Sequence, residues 1–194
     1  MEIFSYVVAR DFGFAPNPFH GYCTLSSCKP LVRAKAKIGD FIVGTRAAPN
    51  SDEIIYFMRV TEMLTFQQYW DDPRFEQKRP FFFGNLADAF GDNIYHKDIH
   101  GNWIQEDSHH AYEDGTPCEG NIRKDTKSDC VLISNDFTYW GRASVTVPFD
   151  LKLLVKAGPG HKSPIFDEGF KSKFLLWVNQ QQSGILGLPL DWRG

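Results

Sequence analysis

Ile54-Ile55-Tyr56-Phe57-Met58-Arg59-Val60 is the strongest strand signal in the chain. It is rich in β-branched and aromatic residues, and so apolar a run belongs at the centre of a sheet. Further β-rich runs lie around it at Phe4–Ala9, Phe41–Thr45, Cys130–Ser134 and Phe137–Trp140. Short helices are predicted between them. Ser26-Ser27-Cys28-Lys29-Pro30 opens one over Leu31–Ala36, with proline in the tolerated first turn. Thr65 and Gln68 have capping-box spacing, which starts a second helix through Tyr69 and Trp70, stopped near Pro73. A third covers Leu86–Phe90. Asn93–His96 and Asn102–Gln105 flank His100-Gly101 and read as a hairpin. Tyr112–Asp129 reads as polar and irregular. Strands and helices do not alternate regularly, so a doubly wound sheet is disfavoured. The expected class is α+β, a small, strongly curved β-barrel decorated with short helices.

Composition changes after Pro148. Gly158-Pro159-Gly160 reads as a loop. Ser163-Pro164 or Asp167 opens a helix that places Phe166, Phe170, Phe174, Trp177 and Val178 on one face, and Gly184 ends it. This gives a main domain over residues 1–147 and a helical extension, 148–194, packed on the same domain. A lesser use for the aromatic stripe is docking a partner through Phe170, Phe174 and Trp177.

The 194 residues suit one domain, and 42% hydrophobic with 23% charged residues is a globular balance. Seventeen Phe, seven Tyr and five Trp exceed the ordinary needs of a core and leave rings for a stacking pocket. A net charge of -3 excludes a general polyanion binder. Any phosphate contact needs a local basic face, either Lys29, Arg33, Lys35 and Lys37 or Arg123, Lys124 and Lys127. Cys23, Cys28, Cys118 and Cys130 contain no CxxC pair, so a structural zinc is not expected; no motif calls for another metal or a cofactor, and none is expected. The opening residues lack a signal-peptide pattern and no run approaches the length of a membrane span. The expectation is a cytoplasmic protein with reduced thiols and no membrane partner.

One stretch concentrates polar chemistry: Asn102-Trp103-Ile104-Gln105-Glu106-Asp107-Ser108-His109-His110. Three segments, this among them, carry a family resemblance. The first is Tyr6–Phe19 (Tyr-Val-Val-Ala-Arg-Asp-Phe-Gly-Phe-Ala-Pro-Asn-Pro-Phe), continuing through Gly21–Leu25 and Cys28-Lys29-Pro30 to Gly39-Asp40. The second is Leu64-Thr65-Phe66 with Tyr69-Trp70 and Asp72–Phe75. The third is Gly91–His96 with Trp103–His110 and Val131–Ser134. Over roughly residues 3–142 the chain resembles the nucleotide modification associated domain 2 family. That family implies a context of DNA base modification or phage defence more than a reaction. A weaker likeness to PUA-like domains of the EVE and YTH kind implies a barrel holding a modified base between aromatic walls.

A base pocket needs flat apolar faces and a few edge-reading groups. Phe14, Phe19, Tyr22 and Trp103 are the candidate stacking rings. Asn17, Thr24, Gln105 and Ser108 are the candidate edge readers, and Lys29, Arg33 and Lys35 the candidate phosphate contacts. Phe14, Phe19 and Tyr22 would equally plug the end of the barrel. The ligand expected is a modified nucleobase, nucleotide or nucleic acid, with oligomeric state open. The rival reading is an enzyme that modifies a base, with Glu106, Asp107 and His109 as acid–base groups. Cys23 beside His20 is a further nucleophile–base pairing. His96, His100, Asp107, His109 and His110 are metal-ligand types, but adjacent histidines on a strand point to opposite faces.

Overall fold

In the computed structural model, which describes residues 1–156, 158, 160–163 and 165–192, the 54–60 run becomes the strand Glu53–Arg59. It is central, as its composition predicts. The sheet around it runs His161–Lys162, Ile3–Val8, Phe41–Arg46, Glu53–Arg59, Asp136–Tyr139, Gly184–Ile185, and Val145–Thr146 also pairs with Glu53–Arg59. Ile3–Val8 lies parallel to Phe41–Arg46, and Glu53–Arg59 is antiparallel to both its long neighbours. A register shift interrupts the ladder at Gly44/Thr45. Only glycine fits there, since a Cβ on Gly44 would lie 2.4 Å from the Tyr56 ring.

These strands belong to one of two compact units, composed of residues 1–12, 36–61 and 134–194. Its core joins Ile3, Phe41, Val43, Ile54, Phe57 and Trp140 to Phe166, Phe174 and Val178. Phe174 is fully buried, edge-on to Phe41 at 5.2 Å and to Phe57 at 6.5 Å between ring centroids. Burying a ring of this size is worth about 1.5–3 kcal/mol. The helix that carries it spans Glu168–Val178, with Asp167 as N-cap accepting from the Phe170 amide. Pro159 and Pro164, named in the predicted loop and in the alternative helix start, lie outside the described residues. The helix stops at Val178 with Asn179 as C-cap, while Gly184 opens a short strand. Phe170 and Trp177 pack on the same core, so the stripe is used inside the chain and a docking role for it fails.

The second unit comprises residues 13–35 and 62–133. Val131–Ser134 lies between Cys23–Leu25 and Glu62–Leu64 in a three-stranded sheet, and Tyr95–Lys97 pairs with Trp103–Gln105 as the predicted hairpin. Helices span Pro30–Lys35, Phe66–Asp71, Leu86–Ala89 and Glu119–Asp125, with a 3-10 turn at Pro73–Lys78. The Thr65 capping box forms in full: its side chain accepts from the Gln68 amide and Gln68 returns the bond. Glu119–Asp125 corrects the irregular reading of Tyr112–Asp129. With Ile122 as its single strongly apolar residue, that helix shows no hydrophobic period.

The expected closed barrel is not found. Among the described residues no sheet closes on itself, and the long one ends on two-residue strands at both sides. The result is a mixed α/β protein with separate open sheets. Among the described residues no helix is long and apolar enough to cross a membrane.

Candidate active site

The strongest concentration of reactive groups in the second unit is a chain of three side chains: Cys28, His110 and Asp125. Cys28 precedes the Pro30–Lys35 helix on a sharp turn, with φ of 57° at Cys28 and 38° at Lys29. Consecutive left-handed residues other than glycine are costly and are found where geometry serves a site. His110 lies in the turn after the Trp103–Gln105 strand, and Asp125 ends the Glu119–Asp125 helix.

Their geometry is that of a relay. Cys28 Sγ lies 3.6 Å from His110 Nε2, and His110 Nδ1 donates to Asp125 Oδ2 at 2.7 Å. Asp125 is fully buried and accepts two more bonds, from the Cys28 amide at 2.8 Å and from the Tyr95 hydroxyl at 2.9 Å. The carboxylate therefore fixes the imidazole orientation and the nucleophile's backbone together. Burial disfavours the charged imidazole, but the bonds to Asp125 and Cys28 outweigh it and raise His110 to about 9. Burial likewise opposes the Asp125 charge, and the His110 and Tyr95 bonds overcome it and hold the carboxyl below its ordinary range. Burial and the neighbouring Asp125 charge push the Tyr95 hydroxyl far upward, so it stays a donor.

Supports surround the relay. Gln105 donates to the Tyr95 hydroxyl at 3.0 Å and to the His110 carbonyl at 3.2 Å, and accepts from the Cys118 amide. Asn121 donates to the same His110 carbonyl at 2.8 Å. Arg33, fully buried, donates to the carbonyls of Cys28, Asp125, Ser128 and Cys130, pinning both ends of the relay. Phe14 packs under the two histidines, with centroids 5.3 Å from His109 and 4.7 Å from His110, and Phe90 flanks His109 at 5.3 Å.

A family model described as nucleotide modification associated domain 2 matches residues 1–194. The chain belongs to that family. The match extends past both ends of the 3–142 region that carries the resemblance. No curated protein and no solved structure matches the chain.

In this nucleotide modification associated domain 2 protein the predicted site residues divide into four groups. Phe14, Gln105 and Ser108 are buried beside the relay, Ser108 accepting from the His110 amide. Asn17 and Thr24 are buried elsewhere in the same unit. Asn17 accepts from Lys78 Nζ and donates to the Phe90 carbonyl, and Thr24 donates to Asp92 at 2.7 Å. Phe19 is buried, while Tyr22 and Trp103 are half-buried beside Phe75 and Phe66 respectively. Among the basic candidates Lys35 is exposed and Lys29 half-buried, but Arg33 is committed to main-chain carbonyls and presents no free edge to a phosphate.

The predicted acid–base set is not assembled. Glu106 pairs with His96 at 2.7 Å, Asp107 is exposed, and the His109 ring stands beside that of His110. The opposite-face argument for His109 and His110 fails because the strand ends at Gln105. In the turn that follows, the two rings lie 29° from parallel. Cys23 is fully buried, and Cys28 lies beside His110. Sequence reasoning passes over Cys28 and Asp125 as site residues. The one signal available is Cys28-Lys29-Pro30, a cysteine next to a helix start.

Cys28, His110 and Asp125 also offer ligand atoms within 4.8 Å of one another, the spacing of a metal set. Their arrangement suits proton transfer better. Cys28 faces Nε2 and Asp125 faces Nδ1, so an ion on Nε2 would be shared by Cys28 and His110 alone, with Asp125 orienting the ring from the other edge rather than ligating.

Proposed function

We infer that this protein is an enzyme of nucleotide or nucleobase modification, with Cys28 as nucleophile, His110 as its proton acceptor and donor, and Asp125 as the positioning residue. The observation that carries this reading is the continuous bond chain from Cys28 Sγ through His110 to a fully buried Asp125. A cysteine, a base within reach and a third group orienting the base form the signature of covalent catalysis. Family membership supplies the substrate context. Cys28 is a free thiol, as nucleophilic attack requires.

The test is alkylation with iodoacetamide, read by peptide mass spectrometry. Cys28 is expected to react about tenfold faster than Cys130, whose thiol burial pushes up, to slow about tenfold in His110→Asn, and to be protected by a nucleotide. A Cys28 rate equal to that of Cys130, unmoved by the His110 change, would overturn the assignment.

A second reading, recognition of a modified base without turnover, is favoured by Trp103. Its ring is half-exposed and Lys97 Nζ lies 4.6 Å from its centroid. Here Tyr22 and Trp103 supply the accessible stacking faces and Lys29 and Lys35 the phosphate contacts. Modified-nucleoside affinity that falls in Trp103→Ala but not in Cys28→Ser separates this reading from the first.

A further inference from the structure

We propose that Cys28 adds its sulfur to C6 of a pyrimidine ring while His110 delivers a proton to C5, which makes the substrate class a cytosine or uracil nucleotide. This rests on Cys28 being the nucleophile and names what it attacks.

The alternative for a cysteine–histidine–aspartate relay is acyl transfer. That chemistry depends on donors preorganised toward the developing oxyanion, and the nucleophile's own amide is a common one. Here the Cys28 amide is taken, donating to Asp125 Oδ1 at 2.8 Å. Turning it toward a substrate oxygen would break the contact that ties the thiol to the carboxylate. Phosphoryl transfer asks for a cationic clamp at the reacting phosphate, and Arg33, the cation bonded to the backbone of both Cys28 and Asp125, is committed to four carbonyls.

Conjugate addition to a pyrimidine has different needs. It requires a thiolate, one proton donor beside it, and flat surroundings for the ring. C5 and C6 are adjacent atoms, so donor and sulfur must be neighbours, and His110 Nε2 lies 3.6 Å from Sγ. The Asp125 carboxylate favours the protonated imidazole that the step consumes. Flat surfaces are close at hand: exposed His109 is held between Phe14 and Phe90, each 5.3 Å away. Cys28 itself is half-buried, reachable from solvent.

The step balances without another reagent. The sulfur electron pair forms the S–C6 bond, and the C5=C6 pair shifts to C5 and takes the proton from His110 Nε2. The product is a 6-thioether of the 5,6-dihydropyrimidine. In reverse, water on the ring face opposite His110 takes the original C5 hydrogen, because removal of the delivered proton would only restore the starting base; the double bond re-forms and the thiolate leaves. Between the two, the imidazole exchanges its proton with water. The net event is replacement of the C5 hydrogen by solvent hydrogen.

The full chain is incubated in D2O with dCMP, with dUMP and with a single-stranded oligonucleotide containing both bases, and H5 is followed by proton NMR. Decay of H5 at ten or more times the protein-free rate, with H6 collapsing to a singlet, is expected for at least one of the three. Cys28→Ser should return the rate to background, His110→Asn should lower it by about 100-fold, and Lys173→Ala, on the Glu168–Val178 helix, should leave it unchanged. Near-ultraviolet circular dichroism checks that each variant is folded. Exchange at background with all three substrates, while Cys28 still alkylates ahead of Cys130, overturns the pyrimidine assignment and leaves the nucleophile standing. Ordinary alkylation as well would overturn both.

Discussion

Replacing Asp125 with asparagine removes the charge from the relay with almost no change of shape. The new amide side chain would keep an acceptor for the Cys28 amide but present an NH2 where Oδ2 now receives His110 Nδ1 and the Tyr95 hydroxyl. His110 would then keep only its contact with Cys28 against burial, and its pKa should fall from about 9 toward the ordinary 6.5. The two values differ by about 3 kcal/mol at roughly 1.4 kcal/mol per tenfold change. The sign follows from linkage. His110 is raised in the folded state, so its contribution is complete below 6.5 and is lost as pH rises through about 9. Asp125 is depressed, so its side of the same interaction is lost in acid as the carboxyl protonates. Wild-type protein should exceed the variant by about 3 kcal/mol near pH ~6. That margin should shrink to a residue of lost hydrogen bonds by pH ~10. The assay is urea denaturation across pH with a carbon-13 titration of the His110 ring. A wild-type His110 midpoint near 6.5, or one that stays near 9 in the variant, refutes the electrostatic account of the relay.

Two further changes probe what holds the site. Arg33→Met should cost about 3–5 kcal/mol in urea unfolding, because it strips donors from four carbonyls in a buried place. Thr65→Ala should cost about 1 kcal/mol by the same measurement, the usual loss when an N-cap acceptor is removed.

Local chemistry makes much of the fold legible. Thr65 and Gln68 declare a helix start because the two bonds of the capping box close within four residues. The 54–60 run declares a central strand because an uninterrupted apolar run needs neighbours on both sides. Whether a sheet closes is not written locally, since closure depends on which strands meet. The strands are therefore legible where the open form of the sheet is not. The Glu119–Asp125 helix escapes notice because seven residues with one well-buried apolar anchor carry no period. The site is the least legible part. Cys28, His110 and Asp125 are separated by 82 and 15 positions, and only tertiary structure brings them to hydrogen-bonding distance. Arg33 shows the converse error, since a basic residue beside Lys29 and Lys35 looks like surface, yet five donors on a rigid fork can satisfy a buried ring of carbonyls.

The interleaving of the two units bears on how the chain emerges from a ribosome. The segments 13–35 and 62–133 hold Cys28, His110 and Asp125, so every member of the relay has been synthesised by residue 133. The other unit has by then only its first strands. Phe41 and Phe57 meet Phe174, which arrives later on the Glu168–Val178 helix. A nascent chain stalled before that helix would carry every relay residue, and also a sheet whose aromatic face is still bare. Such a chain offers a chaperone or a protease a target that the finished protein withdraws.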